Sequence, residues 1–180
     1  MVLPHNMGMK NMTRLPLALA LAMVATGVFS PGGTVSAQAP NPCALLTTDD
    51  VQAFAANAGE GVPSTIASVN YATCRYAWGA GTDRFKLNVV VQDASRTFPG
   101  MTPDQIKQLL LKSVKPESTD AVVSDIGEAA VFKSDSAYYA TATALLKGRL
   151  LQVSVDGVDA RDKKDQAIAL LKAAASRLQP

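Results

Sequence analysis

The amino-acid sequence predicts an α+β domain, in which an antiparallel sheet of about five to six strands carries its helices mainly on one face. Segments with helical spacing of apolar residues alternate with groups of strand-like segments, in the order helix, strands, helix, strands, helix. The strand-like segments follow one another through short turns, which is how antiparallel strands connect. Helices and strands segregated in this way are typical of the α+β class.

The first helix is predicted over residues 48–58. Thr47 supplies a hydroxyl and a carboxylate follows three residues later, which is the capping-box pattern. Val51 and Phe54 then share one apolar face, and Gly59 ends the helix.

Extended segments follow this helix. Residues 74–78 and 85–91 alternate apolar with mostly polar side chains, and the Gly-rich residues 79–83 form a turn between them. This alternation predicts a hairpin with one apolar and one polar face. A weaker strand is predicted before the hairpin, at residues 64–69.

Two further helices have recognisable ends. Thr102 and Pro103 provide a cap and a first-turn proline for the second helix, which ends before Pro116. The final helix is predicted to begin at Asp159 as its cap and to bury an apolar stripe that includes Leu170.

Three strands are predicted between these helices, at residues 129–133, 137–146 and 149–155. Lys147 and Gly148 join the last two as a two-residue hairpin turn. Alanines recur at every second position of the middle strand, so one side of it leaves room for a helix to pack closely.

The N-terminal residues 1–37 are predicted to be a signal peptide. Lys10 and Arg14 precede an apolar run at residues 15–29, and small residues then lead to a predicted cleavage after Ala37. The run is shorter than the roughly 20 apolar residues that a membrane-spanning helix needs. The chain is therefore expected to be exported, to the periplasm or the medium, and to keep no membrane span after processing.

Cleavage divides the chain into a short linker at residues 38–42 and a single α+β domain at residues 43–180. Cleavage after Ala39 is the less favoured alternative, as is an uncleaved N-terminal anchor. A lipid-anchored form does not fit, because Cys43 lacks the small-residue box that precedes an acylated cysteine.

Removal of residues 1–37 changes the balance of charged and catalytic residues. It leaves 17 − 2 = 15 basic residues against 15 acidic ones, so the composition gives no support for a nucleic-acid partner. It also removes His5, the only histidine, and with it Ser-His-Asp or Cys-His catalysis and ordinary zinc sites. The sequence predicts no cofactor and no metal.

Cys43 and Cys74 are the only cysteines. In an oxidising compartment an even count predicts one disulfide, with two free thiols as the alternative. A redox role is disfavoured because the sequence contains no Cys-x-x-Cys motif.

Three short motifs carry a resemblance: Pro-Cys-Ala-Leu-Leu-Thr at residues 42–47, Cys-Arg-Tyr at 74–76, and Ile-Gly-Glu-Ala-Ala at 126–130. With these motifs the chain resembles a group of small bacterial exported domains and lipoproteins of unknown function. The element order also resembles the PsbP/Mog1-like α/β sandwiches, at the level of fold. The resemblance implies an exported α/β domain and supplies no catalytic residues.

A polar sheet face is the candidate binding surface. Residues at alternate positions of three predicted strands are expected to share it, around a tyrosine that serves as an aromatic anchor for a protein or glycan partner. The alternative is an ordinary solvated face, which one-sided antiparallel sheets routinely have. The candidate residues are Arg84, Lys86, Asn88, Tyr139, Thr141, Thr143 and Gln152.

Other candidate sites have simpler structural interpretations. Residues 156–162 hold several carboxylates but lack EF-hand spacing, so a turn with a helix cap is favoured over a calcium loop. Asp49 and Asp50 are adjacent on a helix and do not face each other, which favours cap and dipole roles over acid–base work. Trp78 is favoured as a core plug over a ligand contact, and no Ser-x-x-Lys or Gly-x-Ser-x-Gly motif is present.

The sequence thus predicts an exported, non-enzymatic binding or interaction protein of the cell envelope or the secreted fraction, with an unknown protein, lipid or glycan as its partner. Two alternatives stay open. One is a small hydrolase or transferase that works without histidine, and the other is a structural envelope component that acts through an exposed sheet edge.

Overall fold

The structure is a computed structural model that describes residues 40–66, 71–80 and 84–178. Several predictions therefore lie outside the described residues: the signal peptide with its cleavage after Ala37, the first two residues of the linker, the end of the first predicted strand and part of the Gly-rich turn. Among the described residues, no helix combines the length and apolar character needed to cross a membrane.

The described part of the chain contains seven strands and four α-helices, together with two short 3-10 turns at Pro42–Ala44 and Ala160–Lys163. The strands and α-helices are, in chain order, α1 (Thr48–Phe54), β1 (Val62–Ile66), β2 (Tyr71–Trp78), β3 (Phe85–Asp93), α2 (Ala94–Thr97), α3 (Pro103–Lys112), β4 (Ala121–Val123), β5 (Ala129–Ser136), β6 (Tyr139–Leu146), β7 (Arg149–Asp156) and α4 (Lys164–Arg177).

All seven strands form one sheet in the order β1-β2-β3-β7-β6-β5-β4, and each neighbouring pair is antiparallel. The predicted α+β class with an antiparallel sheet is therefore confirmed. The predicted count of five to six strands was wrong, because β4 spans only three residues and is too short to show alternation. The predicted element order was also wrong, since α2 separates β3 from α3.

The main core lies between α4 and one face of the sheet, called here the inner face. Ala140, Ala142 and Ala144 of β6 are fully buried there, beside Leu87 of β3 and Leu171 of α4. Since alanine adds only a methyl group, it lets the helix approach the strands closely, as the alternation of residues 137–146 predicted. The 3-10 turn at Pro42–Ala44 also contacts the strands, and α1 contacts α4.

The opposite face, called here the outer face, is covered in part by α2 and α3. Ala94 and Ile106 of these helices form a second apolar cluster with Leu145 of β6 and Leu150 of β7. Both leucines alternate with residues of the main core and thus point away from it. The prediction that helices lie mainly on one face is wrong for α2 and α3, because these leucines are apolar outer-face residues that require cover.

Two helix predictions need correction at their ends. The first helix ends at Phe54 rather than at residue 58, because Ala55 has an extended backbone (φ −151°, ψ 100°). Asp159 does not cap the final helix: its backbone is left-handed, its side chain makes no capping hydrogen bond, and α4 begins at Lys164 after a 3-10 turn. The capping boxes that begin at Thr47 and Thr102 are both present.

The predicted disulfide is confirmed. Cys43 and Cys74 are bonded with their Cα atoms 5.0 Å apart. The bond attaches the N-terminal 3-10 turn to the middle of β2, whose Cys74 is fully buried.

Candidate functional site

The register of the sheet decides which polar residues meet on the outer face, because residues directly opposite each other on antiparallel strands point to the same side. Asp156 of β7 pairs with both Lys86 of β3 and Tyr139 of β6. The next outer-face row joins Asn88, Ser154 and Thr141 in the same way.

A third row joins Val90, Gln152 and Thr143. Six of the seven residues proposed from the sequence therefore occupy three consecutive rows across β3, β7 and β6. The seventh, Arg84, lies directly before the first residue of β3.

A groove of about 410 Å³ lies over this part of the outer face. Val90 and Ser154 line it but are only 5% and 4% exposed, so they form its floor beneath longer neighbours. The lining comes from five of the seven strands and consists of Val62, Ser64, Tyr71, Thr73, Arg75, Asn88, Val90, Tyr139, Gln152 and Ser154.

Three of the predicted residues, Asn88, Tyr139 and Gln152, line this groove. Arg84 and Lys86 instead line an adjoining depression of about 330 Å³. Thr141 and Thr143 lie outside both linings, and Thr141 is itself buried.

Sequence reasoning missed the contribution of β1 and β2 to the groove. Tyr71, Thr73 and Arg75 belong to its lining and occupy alternate positions of β2. The signal was present, because these residues alternate with the buried Ala72 and Cys74. The predicted strand begins at residue 74, which leaves out Tyr71 and Thr73, whereas Arg75 lies within it but is not among the residues predicted for the binding face.

Two side-chain contacts join β3 to β7 at the site. The Asn88 amide nitrogen donates a hydrogen bond to the Ser154 hydroxyl at 3.4 Å. The Lys86 ammonium lies 3.5 Å from the Asp156 carboxylate, and both of these side chains remain more than 40% exposed. Within the part of the chain that the structure describes, no buried side-chain nitrogen or oxygen lacks a hydrogen-bond partner.

The carboxyl groups with shifted pKa values all serve local structure. Burial acts to raise the pKa of Asp50, but hydrogen bonds from Thr47 and the nearby Arg177 guanidinium outweigh it and lower that pKa. The hydroxyl of Ser95 is the main cause of the lowered pKa of Asp93, which caps α2.

Asp120 behaves like Asp50. Burial opposes the shift, yet backbone N–H groups of Ser134 and Lys115 lower its pKa. One tyrosine shifts in the other direction: burial raises the pKa of Tyr76, and the Asp50 charge adds to the effect.

The remaining candidates from the sequence lie elsewhere. Asp156 faces Lys86 on the outer face, while Asp159 lies in the following turn. Across residues 40–66, 71–80 and 84–178, no three His, Cys, Asp or Glu side chains lie close enough together to hold a metal ion. The Trp78 ring stacks on Phe85 at 5.7 Å and meets the edge of Phe54 at 5.5 Å, so it is packed against the main core.

A further depression of about 470 Å³ lies beside the disulfide, between α1 and the end of β2. Its lining includes Cys43, Val51, Glu60 and Tyr76. Glu60 is the only acidic residue in this described lining, so the depression does not contain a pair of carboxylates.

No family model, curated protein or solved structure matches the chain at a significant level. The resemblance to exported bacterial domains and to the PsbP/Mog1-like sandwiches therefore stays a prediction.

Proposed function

We propose that the chain is an exported, non-enzymatic binding or interaction protein of the cell envelope or the secreted fraction, and that it binds its partner through the outer-face groove. The observation that carries this proposal is the groove itself. It lies where α2 and α3 leave the sheet uncovered, and it presents hydroxyl, carboxamide, phenol and guanidinium groups over a nearly buried floor. Concave sites with a few polar groups that fix orientation are typical of ligand binding.

The chemistry of the lining supports binding over catalysis. The described lining of the groove contains no carboxylate, thiol or imidazole, and these are the groups that most often act as general acids, bases or nucleophiles. The shifted carboxyls Asp50, Asp93 and Asp120 all have lowered pKa values. A general acid needs a shift in the opposite direction.

The experiment is affinity capture from an envelope extract with three forms of the protein. The wild type is compared with a Tyr139→Ala/Gln152→Ala variant, which removes two groove side chains that carry no core packing. Tyr138→Ala is the matched control, because Tyr138 is the adjacent residue, is 63% exposed and does not line the groove.

We expect one partner to be captured by the wild type and by the control, and to be lost with the double variant. Capture that is equal for all three forms would place the binding surface elsewhere. If the wild type captures no partner above background, this result would count against a binding function.

One observation favours a second candidate, the structural envelope component. β1 is an edge strand whose five residues are all exposed, with Val62 at 55% and Ile66 at 52%. Exposed edges can pair with a second chain, although Pro63 lacks the N–H that such pairing uses. This candidate predicts concentration-dependent oligomers in size-exclusion chromatography, and a monomer at high concentration would contradict it.

A further inference from the structure

Positive charge is concentrated at one end of the groove. Arg75 lines both the groove and the adjoining depression, so the two concavities meet at this residue. The depression is also lined by Arg84 and Lys86, whereas neither described lining contains a carboxylate. One end of the groove is therefore bordered by three cationic side chains: Arg75 of β2, Lys86 of β3 and Arg84, which directly precedes β3.

These cations are available to a ligand. Arg75 and Arg84 are both exposed, and neither forms an ion pair with a described residue. Lys86 faces Asp156 at 3.5 Å, but both side chains are more than 40% exposed, so the pair is weak and can exchange partners. Asp83, which precedes Arg84, lies outside the described residues.

The remainder of the groove has a different chemistry. Hydroxyl and carboxamide side chains such as Ser64, Thr73 and Gln152 both donate and accept hydrogen bonds. Of the two tyrosines in the lining, Tyr71 lies at the end away from the cations, whereas Tyr139 shares the row of Lys86 and Asp156 and so borders the cationic end. Such groups match a ligand whose own hydroxyls donate and accept, and whose rings offer flat C–H faces to aromatic side chains.

Resting on the proposed function, we infer that the ligand is an acidic oligosaccharide. Its carboxylate or phosphate group lies at the cationic end, where a guanidinium can form paired hydrogen bonds with two anionic oxygens. Its sugar rings lie along the neutral part of the groove.

An acidic peptide fits less well: one that added a strand would use the free edge of β1, and one held by the arginines alone would leave the hydroxyl and carboxamide groups of the groove unused. The groove runs over the face of the sheet, where the main-chain groups of β2, β3, β7 and β6 already pair with one another. Recognition there depends on side chains, which favours a ligand rich in its own hydroxyl groups.

The test uses the fluorescence of Trp78, the only tryptophan of the chain, which lines the cationic depression. The purified protein is titrated with an oligogalacturonate hexamer, with maltohexaose as the neutral counterpart and hexaglutamate as the acidic peptide. We expect the acidic saccharide to bind roughly tenfold more tightly than the neutral one at low salt, as two exposed ion pairs can provide. The difference is expected to shrink at about 0.5 M salt because of screening.

An Arg75→Gln/Arg84→Gln variant should lower the affinity for the acidic saccharide about tenfold more than the affinity for the neutral one, so that the preference between them disappears. The matched control is Arg161→Gln/Lys172→Gln, which removes two exposed positive charges that line neither concavity. This control should behave as the wild type.

Equal binding of both saccharides, weakened by Tyr139→Ala, would overturn the inference of an acidic ligand and leave the proposed function standing. Hexaglutamate that binds as tightly as the acidic saccharide would overturn the saccharide assignment. If neither saccharide binds while capture from the extract still depends on Tyr139 and Gln152, this inference fails and the proposed function does not.

Discussion

Removal of the disulfide between Cys43 and Cys74 should destabilise the domain by an amount that follows from the length of the loop it closes. The two residues are 31 positions apart. For a loop of this length, the chain-entropy relation gives roughly 3.7 kcal/mol at 25 °C, because the bond restricts the unfolded chain. For a domain of this size, that corresponds to a fall in Tm of about 10 °C.

The structure adds a local consequence. The bond joins the 3-10 turn at Pro42–Ala44 to β2, and the following residues Leu45 and Leu46 are each 4% exposed in the main core. A reduced protein should therefore expose this N-terminal segment more often, whereas the central strands should open only with global unfolding.

The measurement is urea unfolding of the oxidised and the chemically reduced protein, with free thiols counted in both samples. The reduced form should show a lower free energy of unfolding and a larger m-value, because its unfolded state is less compact. Hydrogen exchange should show increased exposure of residues near Leu46 first. If the reduced protein has two free thiols and unfolds within about 0.5 kcal/mol of the oxidised form, the reasoning from loop entropy is refuted.

Three further substitutions test the packing and the charges of the fold. Gly61→Ala should lower the free energy of unfolding in urea by about 1–3 kcal/mol, because a Cβ there would lie 2.5 Å from the disulfide sulfur of β2. Gly59→Ala is the control, since its Cβ would make only an ordinary 3.4 Å contact. Gly127→Ala should lower the free energy of unfolding by about 2–4 kcal/mol, because its backbone is left-handed (φ +57°) and the new Cβ would overlap a backbone carbonyl oxygen of β6. An unchanged urea midpoint would contradict this prediction. Asp50→Asn should lose the ion pair with Arg177 and about 1 kcal/mol of stability at pH 7. Since the pKa of Asp50 is lowered in the folded state, its contribution is fully present above the unfolded value of about 3.9 and is lost as the pH falls through the lower folded value. The difference between the two proteins should therefore begin to shrink below about pH 4, and a difference that stays constant from pH 4 to pH 2.5 would argue against this reasoning.

The polar face could be predicted from the sequence because side chains alternate with a period of two along a strand. Once Tyr139, Thr141 and Thr143 are placed on one strand, they share a side whatever the rest of the fold does. The predicted hairpin at Lys147 and Gly148 also brings Gln152 of β7 beside this strand, but the approach of Asn88 depends on the pairing of β3 with β7. That pairing joins segments about 60 residues apart, and no local pattern specifies it.

The misplaced helix ends have a local cause. The sequence after Phe54 continues with alanines, which favour helix, so the prediction extended the helix to the nearest glycines. In the structure the chain leaves the helix at Ala55, and Gly59 donates its N–H to the Ala77 carbonyl at the end of β2. Tertiary contacts therefore override the helix propensity of this segment. The residue type of Asp159 predicts a helix cap, but its backbone is left-handed and it lies in the turn before Ala160–Lys163.

The position of the groove follows from a gradient of polarity along two paired strands. The outer-face residues of β6 become more polar from Leu145 towards Tyr139. The residues of β7 that pair with them change in the same direction, from Leu150 to Gln152, Ser154 and Asp156. The helices α2 and α3 cover the apolar end because burial of the leucines is favourable there, and the polar end stays open.

A solvated sheet face would account for the polar residues at that open end. It would not by itself predict a nearly buried apolar residue beneath them. Val90 is apolar, belongs to neither apolar cluster and is 5% exposed although it lines the groove. Its neighbours on β2 and β7 must therefore rise above it and enclose it. A concavity with a nearly buried floor is typical of ligand sites, so the proposed binding role rests on the groove more than on the polarity of the face.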